Sequence, residues 1–360
     1  MLVSRAALAP SCDLHPATWA LLRTATHGGG AAYRPDPAAL VEALRETTAW
    51  HHQRNGLYRK YCAHVGFDPG RDLDAVEAVD RLPHLSAELL RRWPVTAGGS
   101  DLEGEARRVA MLAAVMQAEG LVTGRPVHHV LFARPPGRAA RPGGERFFAG
   151  LCELAPPGAV TYGLRERADR TLGLDEAGVS EALRRASITG EPVRVVGLPA
   201  LVARVARGFD AWPVKLGMGS LVLTSGGWDG AELSRADFRA LVARAWGVPP
   251  QRALDLYRMD EHPVTYVECT GHAFHAPAFA RARVVDPLTL DARPPGEPGV
   301  LALVSPGATA LPSHALLTTD VARSVECPCG RAAPAFEILG RGGKGAQTGF
   351  AARLLEMIDR

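Results

Sequence analysis

The distribution of apolar residues divides the chain into segments with different periodicities. Between residues 37 and 92, apolar positions such as Leu40, Leu44 and Tyr58 recur at helical spacing, and prolines interrupt the pattern, which predicts several helices. Further along, short apolar runs alternate with amphipathic stretches. The runs VHHVLFA, AVTYGL, PVRVVGLP, SLVLTSGGW and ALDL predict strands, and residues 145–154, 173–186, ALVARVARGF and the stretch behind Ser234 predict helices. Such alternation indicates a largely parallel sheet with helices on both faces.

After about residue 264 the pattern changes to short strands joined by turns that contain Pro and Gly. TYVEC, ARARVVDP, GVLALVSP and HALLTTDVARSV predict these strands, which indicate a smaller antiparallel or barrel-like subdomain. We therefore expect an α/β fold with several regions. They are a helical region at 1–92, an α/β core at 93–263, a β-rich subdomain at 264–340, and a hinge with a short C-terminal helix at 341–360.

Composition narrows the range of partners. The chain has 360 residues, 47% of them hydrophobic, and a net charge of only +3 with scattered arginines. This charge pattern gives no support to nucleic-acid binding. No apolar run approaches the roughly 20 residues of a membrane helix, and the N-terminal segment lacks the apolar region of a signal peptide. We expect a cytoplasmic protein that contacts neither nucleic acid nor membrane, and the sequence leaves its oligomeric state open.

Cysteine and histidine residues form a pattern near the C-terminal end. Cys269 and His275 are followed about fifty residues later by Cys327 and Cys329, within Cys-Pro-Cys-Gly. Thiolates and a neutral imidazole are the ligands of a closed tetrahedral zinc site, which has no open position and is structural. His272 is an alternative fourth ligand. The competing interpretation is a buried strand cysteine and two cysteines in an ordinary turn.

Chemistry is expected where predicted strands end, because ligands of open α/β sheets bind at the carboxyl ends of strands. The first such junction is the turn Ser225, Gly226, Gly227, Trp228, where glycine lets the backbone approach a flat ligand. The second runs from Tyr257 to Asp260 and Glu261, and the third ends at Asp320. An aromatic ring with carboxylates could stack on a base and hold Mg²⁺. Taken singly, each junction is also compatible with an ordinary turn.

The order of these junctions resembles that of a known family. SLVLTSGGWDG, DLYRMDE, ECTGHAFHAPAFARARVVDPLTL, PSHALLTTDVA and CPCGRAAPAFEILGR resemble the LuxE-type acyl-protein synthetases. These belong to the adenylate-forming superfamily, close to the phenylacetate-CoA ligases. The resemblance, over about residues 37 to 350, implies that the protein activates a carboxylic acid with ATP and Mg²⁺ as an acyl-adenylate. The acyl group then passes to an amine or thiol acceptor, for example CoA or a carrier protein.

The resemblance also implies residue roles. The adenine pocket would be lined by Ser225, Gly226, Gly227 and Trp228, and Tyr257 would stack on the adenine. Glu261 would hold Mg²⁺ or phosphate. Asp320 would bind the ribose, and Arg341 would be a hinge arginine close to the ribose. The phenylacetate-ligase branch is similar in its Cys-His and Cys-x-Cys pattern as well. This supports structural Zn²⁺ at Cys269, His275, Cys327 and Cys329.

The chain departs from the family at the phosphate-binding elements. Where relatives carry a Ser/Thr/Gly-rich phosphate loop, residues 96–105 include three carboxylates. Each carboxylate would repel a triphosphate by about 1 kcal/mol or more unless Mg²⁺ or Arg107 and Arg108 intervene. The usual YGMTE motif reads YRMDE, so that Arg258 replaces a glycine and Asp260 a hydroxyl residue. Arg258 either meets the phosphates or blocks the pocket.

The acyl acceptor of the family also has no counterpart here. Acyl-protein synthetases end in a helix with an acyl-accepting cysteine, whereas this chain reads Thr348, Gly349, Phe350, Ala351, which excludes a covalent acyl-enzyme there. The mobile C-terminal domain of the superfamily is expected to be reduced to a short tail, with Lys344 as an unproven substitute for its lysine. We therefore expect acyl transfer to an external amine or thiol. The alternative is a catalytically degenerate homologue that acts as a binding or scaffolding subunit.

Overall fold

The computed structural model describes most of the chain between residues 15 and 342. The described residues are 15–26, 31–92, 102–135, 147, 150–152, 154–156, 158–167, 171–228 and 232–342, without the side chains of 91–92 and 102–106. Some predicted features lie wholly or partly outside them, namely residues 96–101 of the stretch with three carboxylates, part of the helix predicted at 145–154, and residues 343–360, which include Lys344 and the 348–351 segment.

Several of the described helices begin at a capping side chain. The helices are α1 (Pro16–Thr26), α2 (Pro37–Arg54), α3 (Gly56–His64), α4 (Ala87–Arg92), α5 (Leu102–Ala118), α6 (Glu176–Thr189), α7 (Pro199–Arg207) and α8 (Arg235–Trp246), with 3₁₀ turns at Ala31–Tyr33, Val76–Arg81 and Pro250–Arg252. The Ser234 side chain accepts the Asp237 N–H at the start of α8, and Asp36 accepts that of Ala39 in α2. Among the helices that the structure describes, none combines the length and the hydropathy that a transmembrane span requires.

Most strands follow the predicted apolar runs, but Leu85–Ser86, Leu172–Leu174, Phe274–His275 and Ala335–Arg341 lie outside them. The strands are β1 (Leu85–Ser86), β2 (His128–Leu131), β3 (Val160–Tyr162), β4 (Leu164–Glu166), β5 (Leu172–Leu174), β6 (Val193–Gly197), β7 (Leu221–Ser225), β8 (Ala253–Tyr257), β9 (Tyr266–Val267), β10 (Phe274–His275), β11 (Arg281–Val285), β12 (Pro298–Val304), β13 (Ala315–Val325) and β14 (Ala335–Arg341). One predicted boundary was wrong. The helix expected at 173–186 begins only at Glu176, because Leu172–Leu174 pairs with β4 and the Asp175 side chain caps α6.

The first sheet is mostly parallel and covered on both faces, as predicted. Its order is β3-β2-β6-β7-β8-β9, and only β9 runs antiparallel to its neighbour. Successive residues of β6 face opposite cores, with Val195 in a cluster formed with α6, α7 and α8, and Val196 in a cluster that includes α5. Burial on both faces explains why these strands read as continuous apolar runs rather than as alternating ones.

The second sheet is antiparallel and lies against the carboxyl-end side of the first. Its order is β10-β14-β13-β12-β11, with β1 added in parallel to β13. The pairing of β13 with β14 shifts register between Val321 and Ala322, directly beside the pair Asp320–Arg341. A bulge of this kind re-aims neighbouring side chains, and it places Asp320 and Arg341 side by side at the edge that faces β8.

Candidate active site

A cavity of about 210 Å³ lies where the carboxyl ends of β7 and β8 meet β13 and β14. Its walls come from five separate segments of the chain, together with the first residue of α8. The lining residues are Gly226, Gly227, Trp228, Arg235, Asp255, Leu256, Tyr257, Arg258, Met259, Phe274, Asp320, Ile338, Leu339, Gly340 and Arg341. The location is the one at which open α/β sheets bind ligands.

Glycine is required at one end of the cavity. Gly226 and Gly227 have φ of 103° and 93°, a region that other residues adopt only with strain. The following residue, Trp228, turns its ring towards the sheet, and its Nε1–H donates to Asp255 Oδ2 at 2.8 Å. The turn therefore forms one wall from bare backbone and an indole that is anchored to a strand carboxylate.

Asp255 is the site residue that the sequence interpretation missed. It is buried in β8, its Oδ1 accepts from the Thr224 hydroxyl at 2.9 Å, and the Arg235 guanidinium lies 3.9 Å from its Oδ2. Burial, with Glu268 close by, raises the pKa of Asp255 above its ordinary value. An acidic residue in the centre of the apolar run ALDLY was the available signal, since a buried carboxylate is costly unless it has partners.

A second carboxylate behind Asp255 is neutralised. Glu268 is buried and accepts two hydrogen bonds from the Arg239 Nη2, at 3.0 and 2.9 Å, and one from the Asp255 backbone N–H at 2.8 Å. This ion pair lies behind the cavity wall. The ion pair holds β8 in place. Of the two carboxylates, Asp255 and Glu268, Asp255 is the one that lines the cavity.

Tyr257, Asp320 and Arg341 meet at the opposite wall. The Tyr257 hydroxyl donates to Asp320 Oδ2 at 2.7 Å, and Arg341 Nε lies 3.7 Å from Oδ1. Burial, followed by the negative charge of Asp320, raises the pKa of Tyr257 well above its ordinary value, so the phenol is the donor. The Tyr257 ring packs in an aromatic group with Tyr266 and Phe274, at centroid distances of 6.0 and 6.1 Å.

The structure places most of the residues named from the sequence around this one cavity. Gly226, Gly227, Trp228, Tyr257, Asp320 and Arg341 line it, whereas Ser225 ends β7 just before the lining begins. Glu261 is half-buried in the turn after β8 and is not among the described residues that form the cavity wall. The convergence brings together positions that are up to 115 residues apart in the chain (226 to 341).

Arg107 and Arg108, which follow the three carboxylates of residues 96–105, bond to oxygens of other loops. Arg107 is fully buried, and its guanidinium donates to the Gly307 carbonyl and the Thr309 hydroxyl. Arg108 donates to the carbonyl oxygens of Asp260 and His262 at 2.8 and 3.0 Å. Both side chains hold loops in position, and neither is among the described residues that line the cavity.

The four cysteine and histidine residues come together in a separate cluster. The ligand atoms of Cys269, His275, Cys327 and Cys329 all lie within 4.8 Å of one another. His275 Nδ1 bonds the Ala333 carbonyl at 2.8 Å, so Nδ1 carries the proton, and Nε2, with its lone pair, lies 3.2 Å from Cys329 Sγ. The donor set fits a tetrahedral metal site.

The same geometry decides between the two histidines. His272 Nδ1 lies 3.6 Å from a Glu268 carboxylate oxygen, while His275 belongs to the cluster. The Gly271 N–H donates to Cys269 Sγ at 3.3 Å, the kind of bond that stabilises a metal-bound thiolate. Burial raises the pKa of the Cys327 thiol.

A larger cavity of about 300 Å³ lies between residues of α2, β11 and the loops around Ala278 and Pro334. Its lining is rich in Ala and Pro, and its guanidinium groups are held by acids: Arg281 and Arg283 by Asp80, and Arg293 by Glu297. The smaller cavity is the one into which a glycine turn, an aromatic ring and two carboxylates project. We therefore regard the smaller cavity as the candidate active site.

The chain is similar to proteins of one family and, in its fold, to solved ligase structures. The family model described as "Acyl-protein synthetase, LuxE" matches residues 105–358. A curated relative, the long-chain-fatty-acid–luciferin-component ligase of Vibrio harveyi, is 28% identical over 104 residues, which are 28% of this chain. The matched part spans 27% of that relative's length.

Solved structures of a 2-hydroxyisobutyryl-CoA ligase are similar in fold. Its open conformation, in complex with 2-HIB-AMP and CoA, superimposes with a TM-score of 0.62 at 17% identity, over 85% of this chain and 69% of that one. Its postadenylation state in complex with R3-HIB-AMP gives a TM-score of 0.60 at 18% identity, over 86% and 69%. At such identities the likeness concerns the fold.

Proposed function

The chain belongs to the LuxE acyl-protein synthetase family and has the α/β fold of adenylate-forming enzymes, and from this premise we propose that it is an ATP-dependent carboxylate-activating ligase. One observation carries the proposal. A glycine turn, an aromatic strand end and a carboxylate–arginine pair, each from a different part of the sequence, line a single cavity. Their chemistry suits the base and the ribose of a nucleotide.

The proposed reaction has two steps. In the first step, a carboxylate oxygen of the acid attacks the α-phosphorus of ATP, and the bond between this phosphorus and the oxygen that bridges to the β-phosphate breaks. Pyrophosphate departs with the bonding electrons, and the acyl-adenylate is formed. An amine or thiol then attacks the acyl carbonyl, loses its proton, and AMP departs with the bonding electron pair. The acceptor is external, because residues 348–351 contain no thiol, and CoA or a carrier-protein thiol would satisfy this chemistry.

We propose that the Trp228 end of the cavity binds the base. Gly226 and Gly227 let the backbone approach a flat ring, and the Asp255 carboxylate is placed to accept from an exocyclic amino group. Tyr257 offers the remaining face of its ring for stacking. Asp255 Oδ1 accepts from the Thr224 hydroxyl and the Leu256 N–H, which uses both of its lone pairs. Oδ2 accepts from Trp228 and has a second lone pair for a further donor.

The ribose is assigned to Asp320 and Arg341. Since Tyr257 already occupies Asp320 Oδ2, the hydroxyl groups would bond Oδ1, which faces Arg341 at 3.7 Å. Glu261 is proposed to hold Mg²⁺, an ion that neutralises phosphate charge when it is bound. From its half-buried position in the turn after β8, Glu261 would act on the phosphate side rather than on the base.

Zinc is proposed for the cysteine–histidine cluster. Cys269, His275, Cys327 and Cys329 would supply all four ligands, and the ion would then serve folding rather than turnover. The regions 1–92, 93–263, 264–340 and 341–360 stay our proposal for the domain division, with the zinc site in the third.

ATP–pyrophosphate exchange tests the function directly. With a panel of fatty, aromatic and amino acids, at least one acid should support exchange that depends on Mg²⁺. ATP should also raise the melting temperature, because a ligand that binds only the folded state stabilises it. Absence of exchange with every acid, together with no thermal shift by ATP, would contradict the proposal and favour a scaffolding subunit.

A further inference from the structure

Three arginines face the candidate active-site cavity. Arg235, Arg258 and Arg341 line it together with the carboxylates Asp255 and Asp320. The lining thus carries more basic than acidic side chains, and a cavity of that balance attracts anions. The question is which of the three cations is placed to meet a phosphate chain.

Two of these cations are next to carboxylates of the cavity wall. Arg341 Nε lies 3.7 Å from Asp320 Oδ1. Arg235 Nη2 lies 3.9 Å from Asp255 Oδ2, and the guanidinium carbon of Arg235 lies 5.4 Å from the Trp228 ring centroid. Both belong to the part of the cavity assigned to the base and the ribose. Each of these two guanidinium groups thus has a buried acidic side chain beside it.

Arg258 is held differently. Its side chain is only 20% exposed, and its guanidinium carbon lies 4.8 Å from the ring centroid of Phe147. The carboxylate that it contacts, Asp260 Oδ1 at 2.8 Å, belongs to a side chain that is 79% exposed. An ion pair with so exposed a partner is screened by water and contributes little. A phosphate that enters the cavity can therefore compete with Asp260 for this guanidinium.

Arg258 also lies close to helix α5. The turn that follows it is tied to α5, because Arg108 of that helix donates to the carbonyl oxygens of Asp260 and His262. Arg258 therefore lines the cavity close to α5. Arg107 and Arg108 of that helix are engaged with backbone and hydroxyl oxygens, whereas the guanidinium of Arg258 bonds the carboxylate of an exposed side chain.

We propose that Arg258 binds the phosphate chain of the nucleotide and is a specificity-determining residue for polyphosphate. The inference rests on the proposed function, because it assumes that a nucleotide occupies the cavity. It assigns to a side chain a task that backbone N–H groups and hydroxyls perform in glycine-rich phosphate loops.

Equilibrium binding of adenosine, AMP and ATP to wild-type protein and Arg258→Gln tests this inference. A guanidinium that bonds phosphate contributes nothing to adenosine, so adenosine affinity should stay within about twofold while ATP affinity falls about tenfold or more. The loss for ATP should be smaller at high salt, since the interaction is between charges. Arg258→Lys, which keeps the charge but not the planar fork, should restore part of the ATP affinity.

Asp260→Asn is the matched control. It removes the exposed competitor of the phosphate, so ATP should bind at least as tightly as to the wild-type protein. Melting temperatures without nucleotide verify that each variant is folded. If Arg258→Gln binds ATP more tightly than the wild-type protein, the arginine blocks the cavity. If the variant loses affinity for adenosine and for ATP equally, the role of the arginine is structural. Either result overturns the inference. A wild-type protein that binds none of the three ligands contradicts the proposed function itself.

Discussion

Asp320 illustrates how much a single carboxylate depends on its surroundings. It is only 8% exposed, and its two oxygens face the Tyr257 phenol and the Arg341 guanidinium. An asparagine has the same shape and can still accept from the phenol through its amide oxygen. The charge and one acceptor oxygen would be lost, and these are the features that ribose hydroxyls and Arg341 use.

Asp320→Asn should therefore separate binding from stability. We expect ATP affinity to fall about tenfold, which corresponds to about 1.4 kcal/mol, while the free energy of unfolding changes by about 1 kcal/mol or less. Isothermal titration with ATP and chemical denaturation measure the two quantities. Glu337→Gln, on the neighbouring strand in an exposed pair with Arg323, is the control and should leave ATP binding unchanged. Unaltered ATP affinity in Asp320→Asn would remove Asp320 from the site.

Glu261 gives a second prediction at the residue scale. Glu261→Gln should reduce ATP–pyrophosphate exchange about a hundredfold or more, because an amide is a poor Mg²⁺ ligand. ATP binding measured without Mg²⁺ should change little. If the variant loses stability and exchange in proportion, the carboxylate holds the turn rather than the ion, and the assignment is wrong.

At the scale of elements, the cysteine–histidine cluster connects two sheets. Cys269 follows β9 of the first sheet, His275 ends β10 of the second, and Cys327 and Cys329 lie between β13 and β14. Beside the cluster, Arg331 forms an ion pair with the buried Glu119 at the end of α5, and the Tyr33 hydroxyl donates to the same carboxylate. A metal bound by this cluster would fix the orientation of the first sheet relative to the second, and the cavity lies where these two sheets meet.

Removing one ligand should therefore affect folding. We expect one zinc per chain by elemental analysis, and we expect Cys327→Ser to lose the metal and about 3 kcal/mol of unfolding free energy. Cys152→Ser, a half-buried cysteine outside the cluster, should keep the metal and nearly all of the stability. A Cys327→Ser protein that retains zinc and melts at the wild-type temperature would refute the structural role.

At the scale of the whole molecule, buried histidines make stability depend on pH. Burial lowers the pKa of His51 and of His129 to about 4, and that of His262 to about 3. Unfolded histidines titrate near 6.5, so between about pH 6.5 and 4 the unfolded chain binds protons that the folded chain does not. Stability is thus fully retained above about pH 6.5 and falls as the solution becomes more acidic.

Denaturation by urea at pH 7.5, 6.0 and 5.0 tests this dependence. Each of these histidines should lower the unfolding free energy by up to about 1.4 kcal/mol per pH unit in that interval. His64→Gln, at an exposed position of α3, should leave the slope unchanged, whereas His51→Gln should reduce it. A free energy of unfolding that stays constant from pH 7.5 to 5.0 would contradict the prediction.

The sequence by itself determined much of the architecture and the list of candidate residues. Apolar runs, cap residues and glycines act through near neighbours, so β6, β7, β8 and α8 lie close to where the pattern put them. The helix boundary at Glu176 escaped prediction because pairing of Leu172–Leu174 with β4 overrides local helical preference.

Only the tertiary structure decided which side chains meet. Strand order and the register shift beside Asp320 bring Arg341 to it, Asp255 turns out to face the cavity, and His275 rather than His272 joins the cysteines. Arg107 and Arg108 prove to be engaged with loop oxygens. The physical reason is that spacing along the chain determines which face of a helix or strand a residue occupies. Contact between residues of distant elements depends instead on how the sheets pack and on which buried polar groups must pair with one another.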